Sequence, residues 1–217
     1  MLISFDRTNF PLVAVEEVGV QVQLLPVTKV QFEQYVGEAG AVSRSRFEDM
    51  LALNPAVAPD RFSAEEREKL FVTGILPKEA LDFAAWLGEG FDLPTLREWR
   101  AILAALHRVP PPRHNEIVDV VEGAALAILQ RLSDQIHIRS LLDYTLMREG
   151  LVEWVWRDKK LVGLGAPRPE FHPNLWDPLL NEVKPIRLDV RVPYFGFRLV
   201  RRGEWYLSDK DNSRYVF

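Results

Sequence analysis

Residues that commonly carry enzyme chemistry are few and scattered in this sequence. It has four histidines and no cysteine, which excludes disulfides, thiolate metal sites and cysteine nucleophiles. The histidines form no H-x-x-x-H or H-E-x-x-H pair, and no serine lies in a G-x-S-x-G turn. His107 and His114 flank a proline break near Glu116, but one helix-terminal and one loop histidine is a commoner arrangement than a shared metal. We therefore predict no catalytic residue, no metal site and no cofactor.

Two short patterns give little indication of a ligand. Gly163 and Gly165 form a lone G-x-G, without the following helix that a phosphate site requires. The adjacent Arg201 and Arg202 are interpreted most simply as solvated charges.

The elements that position these residues are predicted to begin with strands and continue with capped helices. Residues 18–25 alternate between apolar and polar positions, which is typical of a strand. Thr28, Ser63 and Thr95 are each followed three residues later by glutamine or glutamate, so each is expected to start a helix through a capping box. The helix after Thr95 carries a stripe expected to face the core: Trp99, Ile102, Leu103 and Leu106.

Helices are expected to dominate the middle of the chain. Residues 76–88 are predicted to be helical, and the prolines within residues 109–112 interrupt the pattern. Two further helices are predicted over residues 116–132 and 136–148. The part from 124 to 132 is apolar almost all round, which indicates burial on two sides, either inside this protein or against a partner.

The C-terminal part is predicted to return to strands around a long loop. Residues 186–192 alternate strictly, which predicts a strand with Arg187, Asp189 and Arg191 facing outward. Residues 159–184 are rich in glycine, proline and aromatic residues and are expected to form a folded loop. Loops of this length inside compact domains are usually functional.

Composition and charge bound the class of protein. With 217 residues, 47% of them hydrophobic and 27% charged, the chain is expected to form one globular domain over residues 1–217. The net charge of −4 gives no general attraction to nucleic acid or anionic membrane, so neither is an expected partner. The sequence has no basic n-region and no apolar run approaching about 18 residues, so we expect a cytoplasmic protein without a signal peptide or membrane span.

Five segments, in order along the chain, resemble the formylglycine-generating enzyme (sulfatase-modifying factor) family. PVTKVQFEQYV at residues 26–36 resembles the family's early PVT helix, and KEALDFAAW at residues 78–86 resembles its A-x-x-Y/F-x-x-W helix. LPTLREW at residues 93–99 is similar to the family's RLPTEAEWE, and MREGLVEWV at residues 147–155 to its M-x-G-N-V-W-E-W-V. GFRLV at residues 196–200 is similar to its closing GFR strand.

This resemblance implies an α+β domain with the C-type lectin-like fold of the family, carrying a helical insertion at about residues 108–148. It also implies that Glu153, the most prominent carboxylate, belongs to a motif that holds the fold together. Asp92 and Leu96 depart from the arginine and glutamate of RLPTEAEWE. The family's copper-thiolate oxidation needs a late cysteine pair, and the corresponding residues 161–175 contain none, so this activity is excluded and we interpret the chain as a pseudoenzyme.

The predicted function is non-catalytic recognition of a macromolecule, most simply a protein, through the irregular C-terminal loops over residues 157–191. Some relatives in this family are diversified ligand-binding proteins, and exposed aromatics beside arginines are typical of binding hot spots. The expected partner belongs to a larger bacterial assembly. The candidate binding residues are Trp156, Arg157, His172, Trp176, Asp177, Arg187 and Arg191.

Two alternatives remain open. The first is binding of a small molecule or a metal-dependent ligand in the family's former active-site cleft, in a pocket lined by Trp154 and His172. The second is an enzyme with non-thiol chemistry.

Overall fold

A computed structural model of the chain describes residues 2–40, 43–54, 58–63, 66, 69–147, 151–165, 189–203 and 214–215. Over these residues the protein combines α-helices with two β-sheets, which confirms the predicted α+β class. No helix in these ranges is long and apolar enough to cross a membrane.

The strands fall into two sheets. In chain order they are β1 (Leu2–Phe5), β2 (Pro11–Val15), β3 (Val20–Gln23), β4 (Phe91–Asp92), β5 (Val152–Arg157), β6 (Lys160–Gly165), β7 (Phe195–Gly196), β8 (Val200–Arg201) and β9 (Arg214–Tyr215). The larger sheet is antiparallel, with the order β4-β8-β3-β2-β1-β9. The smaller sheet has the order β6-β5-β7, with β7 parallel to β5.

The helices are α1 (Lys29–Ala39), α2 (Arg44–Leu53), α3 (Pro77–Leu87), α4 (Leu96–Arg108), α5 (His114–Val118), α6 (Gly123–Gln135) and α7 (Leu141–Thr145). The capping boxes predicted at Thr28 and Thr95 are confirmed, since each hydroxyl accepts from the backbone N–H three residues on and each return bond is present. At Ser63 the Glu66 carboxylate accepts from the Ser63 N–H at 3.1 Å, which is the return bond of the predicted capping box, and residues 66, 69 and 70 have 3-10 conformation.

The middle of the chain differs from its prediction. The helix expected over residues 116–132 is split into α5 and α6, because Gly123 has a φ of +62°, which a continuous right-handed helix excludes. The helix expected over residues 136–148 is reduced to α7, which begins at Ser140, where the Asp143 carboxylate accepts from the Ser140 N–H at 2.8 Å. Helix α2 was not predicted, although Phe47, Met50 and Leu51 lie at the i, i+3, i+4 spacing of a helix.

The strand predicted over residues 186–192 is wrong in its described part. Residues 189–192 form a turn and irregular backbone. Val190, expected to face inward, is 45% exposed, whereas Arg191, expected to face outward, is turned towards α3. The ion pair between Arg191 and Glu79 therefore fixes the direction of the Arg191 side chain, against the direction that the alternating pattern predicted.

Two hydrophobic cores lie on either side of β5. The first core combines side chains of the larger sheet with helices α4 to α7, and the predicted stripe of α4 is buried in it. The second core combines the smaller sheet with α1 and α3. Val152 and Trp154 belong to the second core and Val155 to the first, so β5 contributes its opposite faces to the two cores.

Candidate functional site

A fully buried polar cluster joins Glu153 of β5 to Arg198, whose side chains are 2% and 0% exposed. Arg198 Nε and Nη2 donate to the two carboxylate oxygens at 2.9 and 2.8 Å. Trp99 Nε1 donates to Glu153 Oε2 at 2.9 Å. The other guanidinium N–H groups donate to the backbone carbonyl oxygens of Gln23, Leu24 and Thr145. All five guanidinium donors are satisfied inside the protein, so this cluster is structural.

A second polar cluster surrounds Trp156, one of the predicted binding residues. Its indole Nε1 donates to Asp92 Oδ1 at 3.1 Å, and Arg202 Nη1 donates to the other oxygen of Asp92 at 3.0 Å. Arg202 also binds Glu98 through two hydrogen bonds, of 2.8 and 2.7 Å. Trp156 is therefore a half-buried residue held at the start of α4, and Arg202 is not the solvated charge that the sequence suggested.

The electrostatics of this second cluster favour its ionised form. Burial opposes ionisation of Glu98, but hydrogen bonds from Arg202 and Thr95 outweigh burial and hold the pKa of this carboxyl below its ordinary value.

Arg157, the next candidate, lies at the tip of the β5–β6 hairpin. Its side chain is exposed and its Nε lies 3.9 Å from an oxygen of Asp158. Asp158 and Lys159 form the two-residue turn, with φ of 46° and 65°, the left-handed conformations that a tight type I′ turn requires. This tip is a charged, solvent-facing feature.

Arg191 lies elsewhere and is already engaged. Its two terminal nitrogens donate to the two oxygens of Glu79, each at 2.7 Å, and Nη1 also donates to the carbonyl oxygen of Gly74 at 2.8 Å. Glu79 is buried and caps α3 by accepting from the Leu76 N–H. Arg191 therefore fastens residues 189–192 to the start of α3.

His172, Trp176, Asp177 and Arg187 lie outside the described residues, within 166–188. The structure describes Gly165, directly before this segment, and residues 189–203 after it. Gly165 and Phe195 are both paired with Val152, on opposite sides of β5. Since neighbouring strands are about 4.8 Å apart, these two positions are separated by about 10 Å at one end of the smaller sheet.

The predicted binding residues that are described do not form one contiguous site. Trp156 lies four residues along β5 from Val152, a separation of about 13 Å. Trp156 and Arg157 thus lie at one end of the smaller sheet, and Arg191 approaches the protein at α3. The spacing of these residues along the chain did not indicate this separation. Where each residue lies depends on the direction in which β5 crosses the smaller sheet, and the sequence alone does not give that direction.

Trp154 does not line an open cleft. It is 1% exposed, its indole Nε1 donates to the carbonyl oxygen of Ile75 at 2.8 Å, and its ring lies 4.5 Å from that of Phe195. Trp154 therefore does not line the pocket that was expected between Trp154 and His172.

Of the two histidines considered for a shared metal, His107 has a described side chain, whereas that of His114 lies outside the described part of the chain. His107 is exposed in the last turn of α4. Glu116 accepts from the backbone N–H of Arg113 at 2.6 Å. Across the described ranges, no three histidine, aspartate or glutamate side chains are grouped closely enough to hold a metal ion.

Sequence reasoning missed the arginines that organise these clusters. Arg198 is the most informative, because an arginine within the apolar run around GFRLV must be paired if it is buried. Its glutamate partner is distant in sequence and could not be chosen from the chain alone.

The fold and the site together define a mixed α+β scaffold in which Arg191, Arg198 and Arg202 are each paired with a glutamate. No protein-family model matches the sequence, and comparison with curated proteins gave no significant match.

Proposed function

We propose that this chain is a cysteine-free member of the formylglycine-generating enzyme family, with its C-type lectin-like fold. The first support is that three of the resembling segments meet in one buried cluster. Trp99, Glu153 and Arg198 belong to the third, fourth and fifth segments and are joined by hydrogen bonds. Recurrent residues of a fold family are expected to lie where the fold is held together.

The aromatic side chains of the other segments give a second, independent support. Phe32 of the first segment stacks on Phe83 of the second, with ring centroids 5.6 Å apart. Both rings contact Phe197 of the fifth segment edge-on, at 6.3 and 5.6 Å. Trp86 packs against Phe83 at 5.5 Å. All five segments thus contribute side chains to the interior or its margin.

We propose that the molecular function is non-catalytic recognition of a protein partner through residues 166–191. The observation that carries this proposal is that Gly165, directly before residues 166–188, and Phe195, seven residues after them, are both paired with Val152 of a buried strand. A long connection on a rigid scaffold is the usual arrangement of a binding loop. The internal pairing of Glu79, Glu98 and Glu153 with arginines supports a role without catalysis.

The test is capture of a partner by the tagged full-length chain from its native cell extract, with sizing and mass spectrometry. The proposal predicts one stoichiometric protein, belonging to a cytoplasmic bacterial assembly. Replacing residues 166–188 by a short Gly-Ser linker should abolish capture. The linker together with residues 189–194 must connect Gly165 to Phe195, whose positions are ~10 Å apart. Trp176→Ala and Arg187→Ala should weaken capture at least tenfold, as expected for hot-spot residues.

The matched control is Arg108→Ala, an exposed arginine on α4 whose loss should leave capture unchanged. Arg157→Ala, at the other end of β5, shows whether the surface extends to the hairpin tip. Undiminished capture by the linker variant would overturn the proposed surface.

A further inference from the structure

The tip of the β5–β6 hairpin, residues 157–160, places three cations in four consecutive positions. Arg157, Lys159 and Lys160 are exposed, and Asp158 is the one carboxylate among these four residues. Asp158 lies 3.9 Å from the Nε of Arg157. Within the described part of the chain, Lys159 and Lys160 take part in no ion pair. The tip is therefore a basic surface on a chain whose net charge is −4.

Two of these cations occupy positions that oppose the stability of the hairpin. Arg157 and Lys160 lie directly opposite each other across the two strands, and like charges at such positions are destabilising. Lys159 has a φ of 65°, at the second turn position, which glycine normally occupies in a type I′ hairpin. The stability of the turn therefore explains neither lysine. Residues that break a local rule in this way are expected at functional sites.

The hairpin beneath the tip is held firmly. Trp156 and Leu161, the next cross-strand pair, both pack against the second core. The backbone N–H of Trp156 donates to the carbonyl oxygen of Pro94 at 2.9 Å, and its indole Nε1 donates to Asp92. A ligand at the tip therefore has little backbone to order, which lowers the entropic cost of binding.

We propose that the hairpin tip binds an acidic segment of a protein partner, with carboxylates of that segment held by Lys159 and Lys160 beside Arg157. A carboxylate between Arg157 and Lys160 replaces the repulsion of two cations by two attractions. Opposite charges on the two surfaces also speed their encounter. The proposal rests on the protein recognition proposed above and adds the charge of the surface that is recognised.

Carboxylates of a protein suit the tip better than nucleic acid does. A phosphate backbone is commonly held through about 6–10 contacts, whereas residues 157–160 supply three cations. The net charge of −4 also repels a long polyanion as a whole. A short acidic segment needs only a local match of charge.

The test is a titration of the isotope-labelled full-length chain with a short peptide of alternating serine and glutamate, followed by backbone amide resonances. At about 0.1 M salt the Debye length is about 10 Å, so distant charges contribute little. The largest shifts are expected at residues 157–160. The matched peptide of alternating serine and glutamine should cause no shift there. Shifts elsewhere with none at the tip would overturn the proposal.

Charge reversal at the tip should remove this binding. Lys159→Glu combined with Lys160→Glu should weaken the affinity for the glutamate peptide roughly tenfold or more. The control combines Lys78→Glu with Arg108→Glu, which changes the net charge equally at exposed positions on α3 and α4. This control should keep the affinity within about twofold, since distant charges are screened. An equal loss in both double variants would contradict a site at the tip.

A single substitution separates binding from stability. Lys160→Thr removes the like-charge pair and introduces a residue that favours strands, so Tm should rise by about 1–3 °C. The same variant should bind the glutamate peptide roughly threefold more weakly. A lower Tm would show that Lys160 stabilises the hairpin, which would remove the argument for a binding role.

Failure of this proposal can be distinguished from failure of the protein recognition on which it rests. Capture of a partner from extract, with no peptide-induced shift at residues 157–160, would overturn only the acidic contact. Peptide binding at the tip without capture of any partner would instead count against the protein recognition. Larger shifts at the tip with a thymidine oligonucleotide than with the glutamate peptide would assign the tip to phosphate groups and overturn the proposal.

Discussion

Arg191, Arg198 and Arg202 each bind one glutamate through paired hydrogen bonds to both carboxylate oxygens. Two of the partners, Glu79 and Glu98, also cap the first turn of α3 and α4. Each of these glutamates therefore fixes the start of a helix and a C-terminal segment at the same time. Paired, charge-assisted hydrogen bonds are the strongest of their kind, which explains why these contacts override local sequence preferences.

The buried pair predicts a large and non-additive effect of mutation. Arg198→Met leaves Glu153 as an uncompensated buried charge, so we expect a loss of about 3–5 kcal/mol in the free energy of unfolding. The double variant with Glu153→Gln should lose less than the sum of the two single variants, because neither charge is then left unpaired. Urea unfolding followed by circular dichroism measures each value.

The control for this cycle is the exposed pair between Arg108 and Glu17, joined at 2.8 Å. Arg108→Met should change the free energy of unfolding by less than about 1 kcal/mol, since exposed ion pairs contribute little. A similar small loss for Arg198→Met would contradict the structural role assigned to the buried pair.

Glu98 predicts a pH dependence of stability. Because its folded pKa is depressed below the ordinary value of 4.5, its contribution is present above that value and is lost as pH falls through the folded pKa. The difference in unfolding free energy between the natural chain and Glu98→Gln should therefore be largest at neutral pH and shrink below about pH 4.5. Urea titrations at several pH values test this, and a difference that grows on acidification would refute it.

At the scale of elements, β6 shows how a short motif can have a packing role. A Cβ on Gly163 would lie 2.5 Å from both Phe195 Cε1 and Val152 Cγ1, and one on Gly165 would lie 2.2 Å from the Leu151 carbonyl oxygen. The G-x-G pattern therefore allows β5, β6 and β7 to pack closely at the end of the sheet where β6 ends at Gly165.

Gly163→Ala should destabilise the protein by about 1–3 kcal/mol, because the added methyl group overpacks a rigid core. The matched control is Gly37→Ala on α1, where a Cβ meets nothing within 4 Å. That variant should raise the unfolding free energy by up to about 1 kcal/mol through helix propensity. Thermal and urea unfolding of the two variants show whether the loss of stability comes from overpacking at Gly163 or would follow any replacement of glycine by alanine.

At the scale of the whole molecule, the two cores are connected through β5 and the Glu153 cluster. Trp99 of the first core donates to Glu153, whose neighbour Trp154 lies in the second core. If either core unfolds, the buried ion pair between Glu153 and Arg198, which lies between the two cores, therefore becomes exposed to solvent.

We therefore expect one cooperative unfolding transition, with coincident midpoints in tryptophan fluorescence and far-ultraviolet circular dichroism. Removing Trp99 or Trp154 in turn, as Trp99→Phe and Trp154→Phe, biases the fluorescence towards one core. Two separated transitions in either variant would show that the cores unfold independently, against the expected single domain.

The sequence by itself determined the features that depend on neighbours along the chain. The capping boxes at Thr28 and Thr95 and the stripe of α4 follow from spacings of three and four residues, which helical geometry fixes locally. The α+β class follows from the same local patterns. The absence of cysteine excluded thiol chemistry without any structure.

Only the tertiary structure decided which distant charges form ion pairs. It also decided that Trp156 and Arg157 lie at one end of the smaller sheet and that Arg191 lies at α3. The helices are interrupted before Gly123 and before Ser140, and Arg191 faces inward. The cause is a backbone conformation at Gly123, a cap at Ser140 and an ion pair at Arg191, none of which follows a periodic pattern in the sequence. Contacts between residues far apart in the chain are chosen by the combined burial of both partners, and no local pattern carries that information.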